Sequence, residues 1–283
     1  MKIPCYIVFL LLVIIGSSSQ LLSAELELKG PLIQGGLIIG KTLSDHRVEV
    51  EGRELIITPD GTFVFGLGYN SQKIQIRIIN KIGDVKNYYI SVTNRKFGVQ
   101  RIDGLLSEKV NPPKSTFVRI RLESEKVGNA RAYNSNYVEF LEGFIWPATG
   151  EISGVYGTRR ILNGQPRQPH FGVDIVRPIG FPVVSPASGK IVLASKDLYF
   201  SGGTLIIDHG LGVFSSLLHL SRIDVSVGEW VSQGDIVGAV GDTGRVTGAH
   251  LDWRVNWFGE RIDPGLLVAP MPKLFIGPTP MRP

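Results

Sequence analysis

The sequence predicts a mainly β protein: an N-terminal small β-sandwich, a short helical connector, and a C-terminal compact β-sheet or barrel-like domain. Three observations carry this. Apolar and polar residues alternate with period two up to about Phe97, a proline-initiated amphipathic segment occupies the middle, and glycines recur between short Val/Ile runs after Ile145. At roughly 100–200 residues per domain, 283 residues suit two domains.

In the first part, residues 25–110, the alternating segments are Val48–Glu51, Lys73–Ile78 and Tyr88–Val92, each patterned for burial on one face. Leu55–Thr58 and Thr62–Phe65 flank Pro59-Asp60-Gly61, which has hairpin-turn chemistry. Five or so short strands suggest a small antiparallel sandwich. His46 stands beside Asp45 and reads as a solvated loop residue. Residues 111–144 form the connector, in which Pro113 opens a helix expected to run to about Ala132.

Residues 145–268 have the texture of many short strands with tight corners and leave no room for βαβ units. Residues 269–283 are proline-rich and read as a loose tail.

Ahead of all this, Lys2, the apolar run Tyr6–Ile15 and the Leu22-Ser23-Ala24 site before Glu25 read as a cleaved signal peptide over residues 1–24, with an uncleaved signal anchor as the other reading. The expected destination is the periplasm or cell envelope. Spanning a bilayer takes about 20 apolar residues, and no later stretch reaches that, so no stable membrane insertion is expected after cleavage. A net charge of +5 with scattered basic residues argues against nucleic acid as a partner. The single cysteine, Cys5, excludes disulfide frameworks and thiolate zinc sites, so any metal must be held by histidines and carboxylates.

Four of the five histidines lie in the C-terminal half. His170 and Asp174 are four apart with Gly172 between them, a spacing that can direct both side chains to one point if the glycine lets the chain bend. His219 ends the run Val213–Leu218. His250 and Asp252 share one face of a strand while Leu251 points to the core. His209, in Asp208-His209-Gly210-Leu211-Gly212, is explained by turn geometry at a hairpin corner. Histidines and carboxylates from separate strands can supply the three ligands and the proton-moving group that zinc hydrolases need.

His170-Phe171-Gly172-Val173-Asp174, Asp208-His209-Gly210-Leu211-Gly212, Leu218-His219-Leu220-Ser221, Gly241-Asp242-Thr243-Gly244 and Thr247-Gly248-Ala249-His250-Leu251 resemble, in order and spacing, the LytM/lysostaphin-type zinc metallopeptidases that cut peptidoglycan peptides. That resemblance covers about residues 145 to 268. It implies one Zn2+ ion with His170 and Asp174 as ligands, and His219 and His250 flanking the attacking water as base or oxyanion partner. The family's third ligand is the second histidine of a His-x-His pair, and here Asp252 stands in its place. Either Asp252 binds the metal, or His250 turns to bind it and Asp252 orients His250.

The resemblance therefore implies an exported zinc metalloendopeptidase acting on peptidoglycan cross-links. The alternative is a degenerate relative that binds the wall or activates another hydrolase, with cell-envelope proteins as partners; a third is an adhesin whose N-terminal sandwich carries the function. Arg159, Arg160, Arg167 and Arg254 lie near the motifs and either meet stem-peptide carboxylates or are ordinary solvated arginines.

Overall fold

A computed structural model describes residues 26–272; the expected signal peptide and residues 273–283 of the tail lie outside the described residues. The protein is mainly β. In the first part a three-stranded sheet orders Glu27–Lys29, Leu37–Lys41 and Thr62–Gly66. Beside it a four-stranded sheet orders Arg53–Glu54, Arg47–Val50, Lys73–Ile79 and Val85–Ser91. The alternation in Lys73–Ile79 is realised as Ile74, Ile76 and Ile78 pointing into the core.

Two local expectations change. Leu55–Thr58 is not a strand, although the turn after it forms: Asp60 accepts from the hydroxyls of Thr58 and Thr62, and the Thr58 N–H donates to the Thr62 carbonyl. His46 is not solvated. Its ring is largely covered, and Nδ1 lies 3.2 Å from Thr42 Oγ1.

The main sheet has eight strands. Its order is Trp230–Val231, Gly189–Leu198, Gly202–Gly210, Val213–Leu220, His250–Trp257, Val173–Val176 and Glu151–Gly154, with Glu260–Ile262 also pairing His250–Trp257. Alternation divides its faces. Leu205, Ile207, Val213, Leu217, Leu251, Trp253 and Val255 join a core cluster that also contains Phe63, Phe65 and Ile76, so one apolar core runs from the N-terminal sheets into the main sheet.

On the opposite face Leu193, Leu198, Ile206 and Phe214 are covered by Val127 and Ala130 of the helix Phe117–Ala130. The expected connector helix is thus present, begun by a 3₁₀ turn at Lys114–Thr116, and it acts as a cover for the sheet. Its apolar spacing is imperfect because little of it is buried: Phe117, Val118 and Leu122 remain exposed. A further strand, Val99–Ile102, pairs in parallel with Arg159–Leu162, which also pairs with Gln165–Pro166, so the end of the first part joins a small three-stranded sheet.

His209 belongs to the strand Gly202–Gly210, not to the corner, and is fully buried with its Nδ1 2.8 Å from the Ser188 carbonyl. Burial in the strand, not turn geometry, accounts for its place in the chain. Burial pushes its pKa down to about 4, only partly offset by that hydrogen bond.

The unfolded chain takes up the proton near the ordinary value of about 6.5, so the neutral ring's contribution is complete above that pH and is lost as pH falls toward 4. Stability is expected to drop by about 3 kcal/mol across that window through this residue alone. Denaturant unfolding of His209→Gln at several pH values should show a correspondingly shallower slope.

Candidate metal centre

The site is built by strand register. Asp174 and Asp252 are direct cross-strand partners, and Leu218 pairs with Asp252 on the other side, so three neighbouring strands converge on one spot. Within His250–Trp257 the apolar positions Leu251, Trp253 and Val255 are buried in the core, which leaves His250, Asp252 and Arg254 together on the opposite face. His219 follows Leu218 with a left-handed backbone, φ 66°, a conformation costly for a residue with a Cβ. It is fixed there by its N–H donating to Ser201 O at 2.9 Å.

Gly172 does not adopt a left-handed conformation. Its contribution is room: a Cβ there would collide with the Asp252 carboxylate and the Arg254 side chain, and one at Gly154 would collide with the Asp174 carboxylate.

His170, Asp174 and Asp252 are all buried, and one ligand atom from each lies within 4.8 Å of the others. His170 Nε2 is 3.1 Å from Asp174 Oδ1, yet neither atom has a hydrogen-bond partner. Buried polar atoms left in that state are costly unless something else binds them. Zinc ligands lie about 2 Å from the ion, which requires donor atoms spaced a few ångströms apart, and an imidazole with two carboxylates is an acceptable donor set. The residues present therefore fit a zinc ion.

His219 and His250 stand beside this group with ring centroids 4.9 Å apart. His219 Nε2 is 4.0 Å from Asp252 Oδ2, and His250 Nε2 is 3.9 Å from Asp174 Oδ1. Each Nδ1 faces a carbonyl, Thr243 O for His219 and Gly248 O for His250, both at 2.8 Å. A carbonyl only accepts, so each Nδ1 carries a proton and each Nε2 is turned toward the carboxylates. Burial, partly offset by the Asp252 charge, pushes the His219 pKa down to about 4, so this ring is neutral at working pH.

All five residues expected at the site converge on it. Of the two readings left open for the arginines, the solvated-surface one fails for Arg160 and Arg254. Arg160 donates to Asp174 Oδ2, and Arg254 grips Asp252 through Nε at 3.0 Å to both oxygens. Neither is a solvated surface residue, and the signal was present for Arg254, which lies two residues from Asp252 on the same strand face. Arg167 is held by Val110 O and Asn111 Oδ1. Burial favours a neutral Asp252, but Arg254, with His170 behind it, holds its carboxyl far below the usual range. Burial and the Asp252 charge raise Asp174, and His170 and Arg160 outweigh them.

A buried histidine and two carboxylates with two imidazoles at their edge, all set on one β-sheet, make a candidate metal centre. The profile of peptidase family M23 matches residues 168–264, and that stretch is an M23 peptidase domain. The chain is 41% identical over 113 residues to the peptidoglycan DD-endopeptidase ShyA of Vibrio cholerae, covering 40% of this chain and 26% of that protein. It is 34% identical over 105 residues to the DD-carboxypeptidase/endopeptidase Mpg of Neisseria meningitidis, covering 37% and 24%. This chain thus spans about a quarter of the length of these curated relatives.

The crystal structure of a putative peptidase M23 from Pseudomonas aeruginosa aligns over 83% of this chain and 93% of that one. Its TM-score is 0.63 at 26% identity, and the alignment extends well beyond residues 168–264.

Proposed function

We propose that the protein is an exported zinc metalloendopeptidase that hydrolyses peptide cross-links of peptidoglycan. The observation that carries this is the group His170, Asp174 and Asp252, buried and mutually within ligand distance, with two orphaned donor atoms and two imidazoles at its edge. The M23 domain and the names of the relatives ShyA and Mpg support the reaction and the substrate class. Among the described residues no helix is long and apolar enough to cross a membrane. Export rests on the sequence of residues 1–24.

His170, Asp174 and Asp252 would hold the metal. A zinc ion bound there supplies Lewis acidity, which acidifies water and polarises a peptide carbonyl. Arg160 and Arg254 keep both carboxylates ionised and oriented, as outer partners of metal ligands do. His219 Nε2 is a neutral, proton-free nitrogen facing the group and accepts a proton from the attacking water; returning it to the departing amine completes the cleavage. His250 Nε2, 3.9 Å from Asp174 Oδ1, stands at the edge of the group and would flank the reacting carbonyl. Asp252, not His250, is the third ligand in this reading, because its oxygens lie with His170 and Asp174 while His250 stands outside that set.

One observation favours the wall-binding alternative: each carboxylate already has an arginine, so the charges balance without a metal. A single experiment separates the two. Purified chain from Glu25 onward should contain or take up about one zinc per molecule, and should release monomeric muropeptides from cross-linked peptidoglycan in a manner abolished by chelator and restored by zinc. Failure to load any divalent metal, with no digestion, would remove the endopeptidase reading and leave the binding one.

A further inference from the structure

Next to the metal centre a groove of about 640 Å³ runs between the helix Phe117–Ala130 and the sheet, with His219 in its wall. Five arginines line it: Arg131, Arg160, Arg245, Arg254 and Arg261. Arg160 and Arg254 are engaged by Asp174 and Asp252. The other three have no carboxylate partner among the described residues, and they come from three separate elements. Arg131 caps the C-terminal end of the helix and donates through Nη2 to Ser216 Oγ at 2.8 Å, while its Nε is buried without a partner. Arg245 lies in the loop that carries Thr243 and stacks 4.7 Å over Phe200. Arg261 follows the strand bearing Asp252 and donates to Asn256 Oδ1 at 3.2 Å.

The one carboxylate lining the groove is Glu123, and it is already occupied by the Tyr199 N–H at 2.7 Å and by Arg119 Nε at 2.6 Å. Three guanidiniums thus line one groove without a salt bridge to any carboxylate among the described residues, although the Asp252 and Glu260 charges act on Arg261. Their burial, with repulsion from neighbouring guanidiniums, registers in their acidity. Burial, with repulsion from Arg261 and Arg254, pushes Arg131 down to about 9, and burial with Arg254 and Arg160 pushes Arg245 down to about 10. A fold does not hold that arrangement without cost, and a bound carboxylate would relieve it, since the guanidinium fork matches carboxylate geometry in a bidentate, charge-assisted pair.

We propose that Arg131, Arg245 and Arg261 form a carboxylate-binding subsite that selects peptides carrying a free carboxylate next to the bond positioned at the metal centre. The position of the scissile bond rests on the endopeptidase reading, and anion binding on the groove. The chemistry favoured is that of an acidic cross-linked stem peptide over its amidated counterpart. The coupling comes from shared lining: His219 and the three arginines face the same groove, so one bound peptide can meet both.

The test uses the full chain and two synthetic cross-linked stem-peptide dimers, one with free carboxylates and one with every carboxylate amidated. Affinity is measured by calorimetry with chelator present, and kcat/KM with zinc. The free-carboxylate dimer should bind at least about tenfold more tightly, the scale of one charge-assisted pair. Arg131→Gln and Arg245→Gln should each shrink that ratio severalfold, and Arg245→Lys, which keeps the charge and loses the fork, should shrink it less.

Thermal unfolding of each variant checks that it folds; Arg245 is a loop residue, so its variants test the subsite even if Arg131→Gln does not fold. Equal affinity of the wild-type chain for the two dimers, or a ratio unchanged in the Arg245 variants, would overturn the subsite. Zinc-loaded protein that discriminates in binding but cleaves neither dimer would instead overturn the endopeptidase reading and leave the subsite standing.

Discussion

His219→Ala is expected to retain its zinc and lose about 10²–10⁴-fold in kcat, the range for removing a general base. The expectation follows from which atoms the ring commits elsewhere. Nδ1 is spent on Thr243 O, which fixes the tautomer and aims Nε2 at the carboxylate group from 4.0 Å away. The ring is no member of the set within mutual ligand distance, so its removal leaves the donors intact. Metal analysis and steady-state kinetics on the same preparation check both halves. Zinc lost in parallel with activity would make His219 a ligand, and an unchanged rate would exclude it from proton transfer.

The second large effect is on stability. Asp252→Ala, compared with wild type in the presence of chelator, is expected to lower unfolding free energy by about 3 kcal/mol, the lower end for removing one member of a buried ion pair. Arg254 would be left against the sheet with its partner gone, and its side chain retains 27% exposure, which softens the loss. The pair itself is worth much less than that, because ionising both groups inside the protein costs nearly what their attraction returns.

The double variant Asp252→Leu with Arg254→Met should therefore recover much of the stability while binding no zinc. Urea unfolding of the three proteins checks the ordering. A double variant as unstable as Asp252→Ala would show that the loss comes from packing around Gly172 and not from the stranded charge. Chelator is needed because bound metal adds its own stabilisation to the wild type alone.

How much of this was legible from residues alone depended on distance along the chain. The alternation of Lys73–Ile79 and of the strand containing Leu251, Trp253 and Val255 is a local signal and translates directly into buried faces. Leu37–Lys41 was invisible to that rule, because it lies in a strand with little exposure on either side and reads as a plain apolar run. Leu55–Thr58 carried strand propensity but found no partner strand, and propensity yields to pairing.

At the site, the five expected side chains do meet, since their motifs sit on strands whose register brings them there. The arginine pairs could not be read the same way. The strand that carries Arg160 pairs with Val99–Ile102, a contact between segments far apart in sequence that no local pattern announces. The groove arginines likewise come from three elements whose meeting is decided by packing.

The strand His250–Trp257 also has a consequence for how the gene can vary. Its odd-numbered side chains fill the core and its even-numbered ones build the site, so a one-residue insertion or deletion within it would exchange the two sets wholesale. Trp253 would be thrust into the groove and Asp252 into the hydrocarbon interior. Point substitutions can tune this segment, but changes of length cannot, and lineages carrying the domain should vary in length only in the turns on either side of it.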